Sequence, residues 1–254
     1  MKVLTKILMI LLLVSGLTLG QKSEMSPETA KSYNAGNKLL KSGDYSGAIL
    51  KYDAALKSSK DYRIFYQKAR ALRKLRKYDL AEVAFKASIK SNPDFDFAYN
   101  SLGIIYFIQG HYLKAIDSFE KFKEVTKNKI YKRKADQYIA RSYTKLGAEA
   151  KANRNFKKAL DYLNKAVSSA NYDAAYLMLA EVNNELGHFK GTLDAAKKAL
   201  KYRKSISKGG PYYYKGLAYK GLGEKKLAIK AFKAGEKDRK YKKLCEYELK
   251  QLRY

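Results

Sequence analysis

The chain has 254 residues and a formal net charge of +29, from 53 Lys and Arg against 24 Asp and Glu. Its hydrophobic fraction of 46% is enough for a sizeable core and excludes a globally disordered chain. So basic a surface favours anionic partners, although a drift of composition towards well-solvated lysine would produce the same charge.

The first twenty residues have the pattern of a secretory signal peptide. Two lysines precede an apolar run over residues 7–14, and small residues follow. The run is shorter than a membrane span requires. We therefore predict a signal peptide at residues 1–20, cleavage before Gln21, and an exported protein that is periplasmic or extracellular. Anchoring to the membrane by an uncleaved N-terminal segment is the alternative.

The mature chain is predicted to begin with a short linker, residues 21–28. Ser26 is a good N-cap, and Pro27 suits the first position of a helix. The first helix should therefore start here. The single cysteine, Cys245, excludes a disulfide framework, and we expect it to act as a small buried hydrophobe.

A pattern of small and aromatic residues then recurs six times. In the third copy, Gly103 lies inside a helical pattern between Leu102 and Tyr106, and Ala115 and Phe119 follow at helical spacing. Each copy consists of two helical segments. The small residue near the start of the second segment recurs at intervals of 33, 34, 44, 33 and 36 residues. These residues are Ala48, Ala81, Ala115, Ala159, Thr192 and Ala228. Such a period indicates a stacked helical repeat.

The arrangement resembles the tetratricopeptide repeat family, whose pattern runs W-x2-L-G-x2-Y, then A-x3-F, then P. The resemblance covers residues 29–241. The chain departs from the pattern because it has no tryptophan, and because its fifth copy carries Asn183 and Ala196 where aromatic residues are usual. The resemblance implies an all-α fold, an α-solenoid of about six helical hairpins plus a C-terminal capping helix.

The predicted copies lie near residues 29–61, 62–95, 96–129, 140–172, 173–206 and 209–241. An irregular insert, residues 130–139, is either an extended helix or a basic loop. Gly209, Gly210 and Pro211 should break the chain before the last hairpin. Residues 242–254 form the end of the capping helix, and four of its side chains are predicted to cover the open end of the solenoid. These are Leu244, Tyr247, Leu249 and Leu252.

The glycine inside each first helix should serve close packing, because glycine there costs about 1 kcal/mol relative to alanine. One column of small residues runs through the first helices, and the series from Ala48 to Ala228 forms a second column. We infer that the two columns face each other, so that the backbones touch. The first column is Gly36, Ala69, Gly103, Gly147, Ala180 and Gly216.

No catalytic chemistry is apparent. His111 and His188 occupy the same turn position in two copies, so we interpret them as turn residues and not as a metal pair. None of the common catalytic or nucleotide-binding motifs occurs. We therefore predict a protein that is not an enzyme and that uses no cofactor and no metal.

The resemblance implies that the first helix of each hairpin lines a concave groove. In the second copy the predicted buried stripe is Phe65, Ala69 and Leu72, and the neighbouring stripe, centred on Tyr66, is rich in arginine. Guanidinium forks suit carboxylates, and tyrosine supplies rigid contact area. The alternative is a solvated helix face beside an apolar contact between repeats. The predicted binding residues are Tyr33, Asn37, Lys41, Arg63, Tyr66, Arg70, Lys74, Asn100, Ile104 and Phe107.

These features favour a scaffold or adaptor in the cell envelope that binds an acidic protein or peptide segment. The alternative is a binder of an anionic envelope polymer or of a membrane surface, acting through its lysine-rich surface. Nucleic acid fits the charge but not the expected export.

Overall fold

The structure is a computed structural model and describes residues 25–252. Over this range it contains thirteen α-helices and no β-strand, which confirms the predicted all-α solenoid of six hairpins and a cap. The predicted signal peptide, residues 1–20, lies outside the described residues. The helices are α1 (Pro27–Ser42), α2 (Tyr45–Ser58), α3 (Tyr62–Lys74), α4 (Tyr78–Ser91), α5 (Asp96–Ile108), α6 (Tyr112–Val125), α7 (Lys129–Ala152), α8 (Phe156–Ser169), α9 (Asp173–Glu185), α10 (Phe189–Lys201), α11 (Gly209–Gly221), α12 (Lys225–Gly235) and α13 (Lys242–Gln251).

Packing runs from neighbour to neighbour along the chain. Helices α1 and α2, α3 and α4, and so on to α11 and α12 pair as hairpins, and each second helix also contacts the first helix of the next hairpin. The first helix begins as predicted, because the Ser26 hydroxyl accepts a hydrogen bond from the Thr29 backbone N–H. No helix in residues 25–252 is both long enough and apolar enough to cross a membrane.

The turn inside each hairpin contains one residue with a left-handed backbone. In four hairpins this residue is glycine, with φ between 71° and 90°. In the other two it is Arg76, with φ 59°, and Arg154, with φ 55°. The residue after Arg76, Lys77, donates its N–H to the carbonyl of Leu72 at 3.0 Å, which closes the end of α3.

The inference about the two small columns is corrected by the structure. The glycines of the first helices lie against the large side chain four residues beyond the second small column. A Cβ atom placed on Gly36 would lie 2.6 Å from the ring of Tyr52, and one on Gly147 would lie 2.8 Å from Cγ of Leu163. The glycines therefore make room for buried rings and for leucine. In the fourth hairpin the second column is also close, because a Cβ atom on Gly147 would lie 3.6 Å from the carbonyl oxygen of Ala159.

The interval over residues 130–139 is helical and belongs to α7, which has 24 residues. Asn128 caps this helix, because its side chain accepts hydrogen bonds from the N–H groups of Ile130 and Tyr131. Farther along, the ring of Tyr138 stacks on that of Phe119, with centroids 4.9 Å apart. The added residues are therefore a helical extension that packs on the third hairpin.

The segment between α10 and α11 is held against the first turn of α9 by hydrogen bonds to Asp173. One carboxylate oxygen accepts hydrogen bonds from the N–H groups of Lys204, Ser205 and Ile206 at 2.5 to 3.1 Å, and the other accepts the Ser205 hydroxyl at 2.7 Å. Burial raises the pKa of the Asp173 carboxyl, but these donors prevail and lower it to about 2. The charged carboxylate thus holds this segment in place.

The predicted break in the chain before the last hairpin is wrong. Gly209, Gly210 and Pro211 are not a break but the buried first turn of α11, where the Gly209 N–H donates to Asp238 at 3.2 Å. A Cβ atom on Gly210 would lie 2.8 Å from the Tyr241 hydroxyl oxygen, so this turn packs closely against the residue that precedes α13.

The capping helix α13 presents a different face from the predicted one. Leu249 and Leu252 pack on the last hairpin as expected, together with the buried Cys245. Leu244 and Tyr247 point outwards, with exposed fractions of 46% and 60%. The buried arc is set by Cys245 and Leu249, which are four residues apart and share one side of the helix.

A candidate partner-binding face on the first three hairpins

The centre of the predicted site is the outer arc of α3. Ile64, Ala69, Ala71 and Leu72 are buried, and they cover two sides of this helix, one against the first hairpin and one against the partner helix α4. Phe65 is only half-buried and packs on the core of the first hairpin, so the predicted buried stripe was too narrow. Side chains spaced three and four residues apart occupy the remaining arc. They are Arg63, Gln67, Arg70 and Lys74.

Arg63 is part of the cap of its own helix. The N-cap residue Asp61 accepts the Arg63 backbone N–H at 2.7 Å and also accepts the guanidinium, with Nη2 to Oδ2 at 2.6 Å. The side-chain hydrogen bond with Asp61 raises the pKa of Arg63. The Arg63 side chain is 42% exposed, so it can still face a partner while this ion pair fixes its position.

Arg70 lies on the same arc and is held by neighbours on α3. Its Nη1 donates to Oε1 of Gln67 at 2.8 Å, and its guanidinium carbon lies 5.9 Å from the centre of the Tyr66 ring. These contacts preorganise a planar, permanently charged group at a half-buried position. Lys74, one turn farther, is exposed.

Tyr66 has a packing role that sequence reasoning missed. Its ring meets that of Phe95 edge-on at 4.9 Å and lies 5.6 Å from the ring of Phe85. Tyr66 is therefore not a purely outward-facing member of the predicted stripe. The ring belongs to the core of the second and third hairpins, and only its outer part can contribute to a binding face.

The predicted residues of the first hairpin lie on α1. Asn37 is half-buried, and its side-chain oxygen accepts the Tyr52 hydroxyl at 2.8 Å. Tyr33 is half-buried, with its ring 6.2 Å from that of Tyr52. Lys41, in the last turn of α1, is exposed. Asn37 therefore has its carbonyl engaged within the hairpin, whereas Lys41 is open to solvent.

The predicted residues of the third hairpin lie on α5 and are half-buried. Ile104 and Phe107 pack beside the main core cluster, and the Phe107 ring contacts those of Tyr112 and Tyr138 edge-on. Asn100 lies one turn before Ile104 on the same helix. Phe97 is 40% exposed and was left out of the predicted site, although it starts this stripe.

At the helical positions that correspond to Arg63 and Arg70, the later hairpins carry residues of either charge. The position of Arg63 is taken by Arg141 in the fourth copy, and Arg141 lies 5.7 Å from the ring centre of Tyr138. The position of Arg70 is taken in the fifth copy by Glu181, which forms an ion pair with Lys151 at 2.7 Å. Counting from the small residue of each first helix would have found both. The face is therefore basic near α3 and carries acidic groups on α9.

Nothing in the described part of the chain assembles a metal site, because residues 25–252 contain no group of three or more His, Cys, Asp or Glu able to hold an ion. His111 and His188 precede α6 and α10 as N-cap residues, in separate hairpins. What the arrangement offers is an extended face with fixed guanidinium groups and ring edges, suited to binding a polypeptide segment.

Comparison with known proteins gives the same repeat. Family models of the tetratricopeptide repeat match residues 66–126 and 140–173. The small glutamine-rich tetratricopeptide repeat-containing protein 2 of Mycosarcoma maydis is 30% identical over 121 residues, which cover 47% of this chain. The matched region spans 34% of that relative, about a third of its length. The chain thus contains tetratricopeptide repeats over the matched residues.

Solved structures agree on the fold. The MamA RS-1 ArsTM double mutant is 19% identical, with a TM-score of 0.50, and the match covers 72% of this chain and 98% of that one. The P58(IPK) TPR domain is 20% identical, with a TM-score of 0.44, and the match covers 89% of this chain and 64% of that one. The first of these likenesses supports the fold, and the described residues form an all-α solenoid of helical hairpins.

Proposed function

We propose that this protein is a non-catalytic scaffold that binds an acidic segment of a partner protein along α1, α3 and α5. Proteins built from tetratricopeptide repeats act as protein–protein interaction scaffolds. The observation that carries the proposal is the outer arc of α3, where Arg63 and Arg70 are held by neighbouring side chains and Lys74 is exposed.

Charge distribution supports an acidic partner. The second copy, residues 62–95, carries nine Lys or Arg and only three Asp or Glu, whereas residues 96–128 carry four of each sign. The proposed site thus lies in a strongly basic copy, although residues 209–241 are equally basic, with nine Lys or Arg against three Asp or Glu. Carboxylates of a partner would form charge-assisted hydrogen bonds with the two guanidinium groups, and the half-buried Ile104 and Phe107 would contact its apolar side chains.

The proposed location is the cell envelope, or outside the cell. Its support is the sequence pattern of residues 1–20, a basic start followed by a short apolar run and small residues. N-terminal sequencing of the protein purified from its native host tests this. A chain that begins near Gln21 would support export, and an intact Met1 in a soluble cytoplasmic fraction would contradict it.

The binding test compares two double charge reversals. Arg70→Glu with Lys74→Glu changes the proposed face and leaves the cap pair of Arg63 intact. Lys226→Glu with Lys230→Glu makes the same change of charge on α12, where both lysines are exposed. A synthetic Glu- and Leu-containing peptide, kept extended by interspersed proline residues so that it cannot form a helix, is titrated by calorimetry. It should lose several kcal/mol of binding free energy only with the first pair, since each charged hydrogen bond contributes about 1.5–3 kcal/mol. Equal losses with both pairs would mean that overall charge carries the interaction.

A further inference from the structure

A second apolar surface lies away from the proposed site, on α2 and α4, the second helices of the first two hairpins. Leu50 on α2 is 70% exposed, and Leu80 and Val83 on α4 are 57% and 66% exposed. Large aliphatic side chains at such exposures are common singly, but a cluster on neighbouring helices marks an interaction site. Because the predicted partner face is on first helices, this cluster is separate from it.

The register of the repeats shows that one position of the cluster is apolar only in these two hairpins. The sixth residue of the second helix is Leu50 in the first hairpin and Val83 in the second. In the later four hairpins the same position is polar and exposed, and the residues are Asp117, Asp161, Asp194 and Lys230. The fold therefore does not require an apolar side chain at this position.

Between α2 and α4 the surface is concave. A groove with a cavity volume of about 320 Å³ runs between the two helices. Seven of its ten lining residues are apolar, and Leu80 and Val83 form one edge. The remaining apolar lining consists of Ile49, Phe65, Leu72, Ala84 and Ala87.

The charged side chains that line this groove do not all pair with one another. Lys68 and Asp53 line it and form an ion pair with each other, with Nζ to Oδ1 at 2.5 Å. Lys77 lines the end near the turn before α4, is exposed, and makes no ion pair within residues 25–252. The groove thus combines an apolar floor with one unmatched positive charge at an end.

We infer that this groove binds an amphipathic helix of a partner protein, with aliphatic side chains spaced three and four residues apart and a carboxylate placed to meet Lys77. Two neighbouring helices with a groove between them accept a third helix in this way. A second copy of this chain is a poorer occupant, because its net charge of +29 would bring like charges together and would leave Lys77 unmatched.

The test uses three synthetic helical peptides and takes advantage of the absence of tryptophan from this chain. The first carries a leucine stripe, flanking glutamates and one tryptophan, so that tryptophan emission reports on the peptide alone. The second has the same composition in scrambled order, and the third has lysine in place of glutamate. With the full chain, we expect saturable binding and a blue-shifted emission for the first peptide, and binding weaker by roughly tenfold or more for the others.

The variant Leu50→Asp with Val83→Asp separates this groove from the partner face on α3. It copies the aspartates that three other hairpins carry at the same position, so its melting temperature should stay close to that of the wild type. We expect it to lose binding of the first peptide by roughly tenfold or more, whereas Arg70→Glu with Lys74→Glu should keep it. If the aspartate variant melts early, Val83→Gln alone serves the same comparison, because Val83 lines the groove and is exposed.

Three results would overturn the inference. They are unchanged binding of the first peptide to the aspartate variant, equal binding of the scrambled peptide, and a wild-type dimer in sedimentation that Leu50→Asp with Val83→Asp converts to a monomer. The last result would identify a second copy as the occupant. A gain of binding for the lysine peptide in Lys77→Glu would support the proposed placement of the carboxylate.

Discussion

The Cα atom of Gly103 lies directly against the ring of Phe119. A Cβ atom at this position would be 2.9 Å from Cε1 of the ring, closer than real Cβ contacts allow. Phe119 is fully buried and also stacks on Tyr138, so its ring has no free space to move into. The glycine therefore determines how closely α5 packs on α6.

Replacing Gly103 by alanine should lower the free energy of unfolding by about 1–3 kcal/mol, despite the better helix propensity of alanine, because the extra methyl overpacks the interface. Valine at this position should cost more. Urea denaturation followed by circular dichroism measures both. In the double variant Gly103→Ala with Phe119→Ala, which copies Ala180 and Ala196 of the fifth hairpin, the total loss should be smaller than the sum of the two single losses. Additive losses would show that the two residues do not interact.

Replacing Arg76 or Arg154 by glycine should stabilise the protein. Both residues have positive φ in a turn where the other four hairpins use glycine. The left-handed backbone costs a non-glycine residue about 1–2 kcal/mol, and the greater freedom of glycine in the unfolded chain takes back part of the gain. We expect a net rise of about 0.5–1 kcal/mol in the free energy of unfolding. The reverse change, Gly110→Arg, should lower it, and a neutral result in both directions would contradict the strain at these turns.

Asp173 should make stability depend on pH in acid. Its pKa in the folded protein is about 2, below the ordinary value of 3.8. Its contribution is therefore fully present above pH 4 and is lost as the pH falls from about 4 towards 2. Asp173→Asn should cost about 2 kcal/mol at pH 7, since a carboxylate holding several N–H groups is lost. The free energy of unfolding of the variant should also depend less on pH between pH 4 and 2 than that of the wild type. If the two curves run parallel in this range, groups other than Asp173 cause the dependence.

The Cys245 thiol should be unreactive in the folded protein. Its side chain is fully buried against Gly235, and burial raises the pKa of the thiol from 9.0 to about 11. At pH 8 the thiolate population should be roughly a hundredfold smaller than in the unfolded chain. Reaction with Ellman's reagent should be slow in buffer and fast in guanidinium chloride. Rapid labelling without denaturant would mean that α13 detaches readily.

The number and order of the helices could be predicted from the sequence because the contacts are local and repeat. Each hairpin packs mainly on its neighbours, so a period near 34 residues carries nearly all the topology. The partner of Gly103 could not be predicted in this way. Ala115 and Phe119 are one turn apart on the same side of α6, and periodicity alone does not tell which of them lies opposite the glycine.

The details of the site depend on contacts between elements. Tyr66 lies at the border of the outer arc of α3, and its burial is decided by Phe95, which follows the turn after α4. On α13, apolar residues occur on both sides of the helix, so the helical phase was ambiguous and Leu244 was assigned to the wrong side. When the second helices are aligned with one another, the sequence shows that Leu50 and Val83 occupy equivalent positions and that both are apolar.

Helix α7 joins the two halves of the solenoid without a hinge. Ala135 and Ile139 belong to the core of the second and third hairpins, and Ala150 belongs to the core of the fourth and fifth. One continuous helix therefore contributes to two hydrophobic cores, so fraying of either half must disrupt part of a helix that the other half needs. The two halves should unfold as one cooperative transition, whereas a flexible linker here would have allowed two.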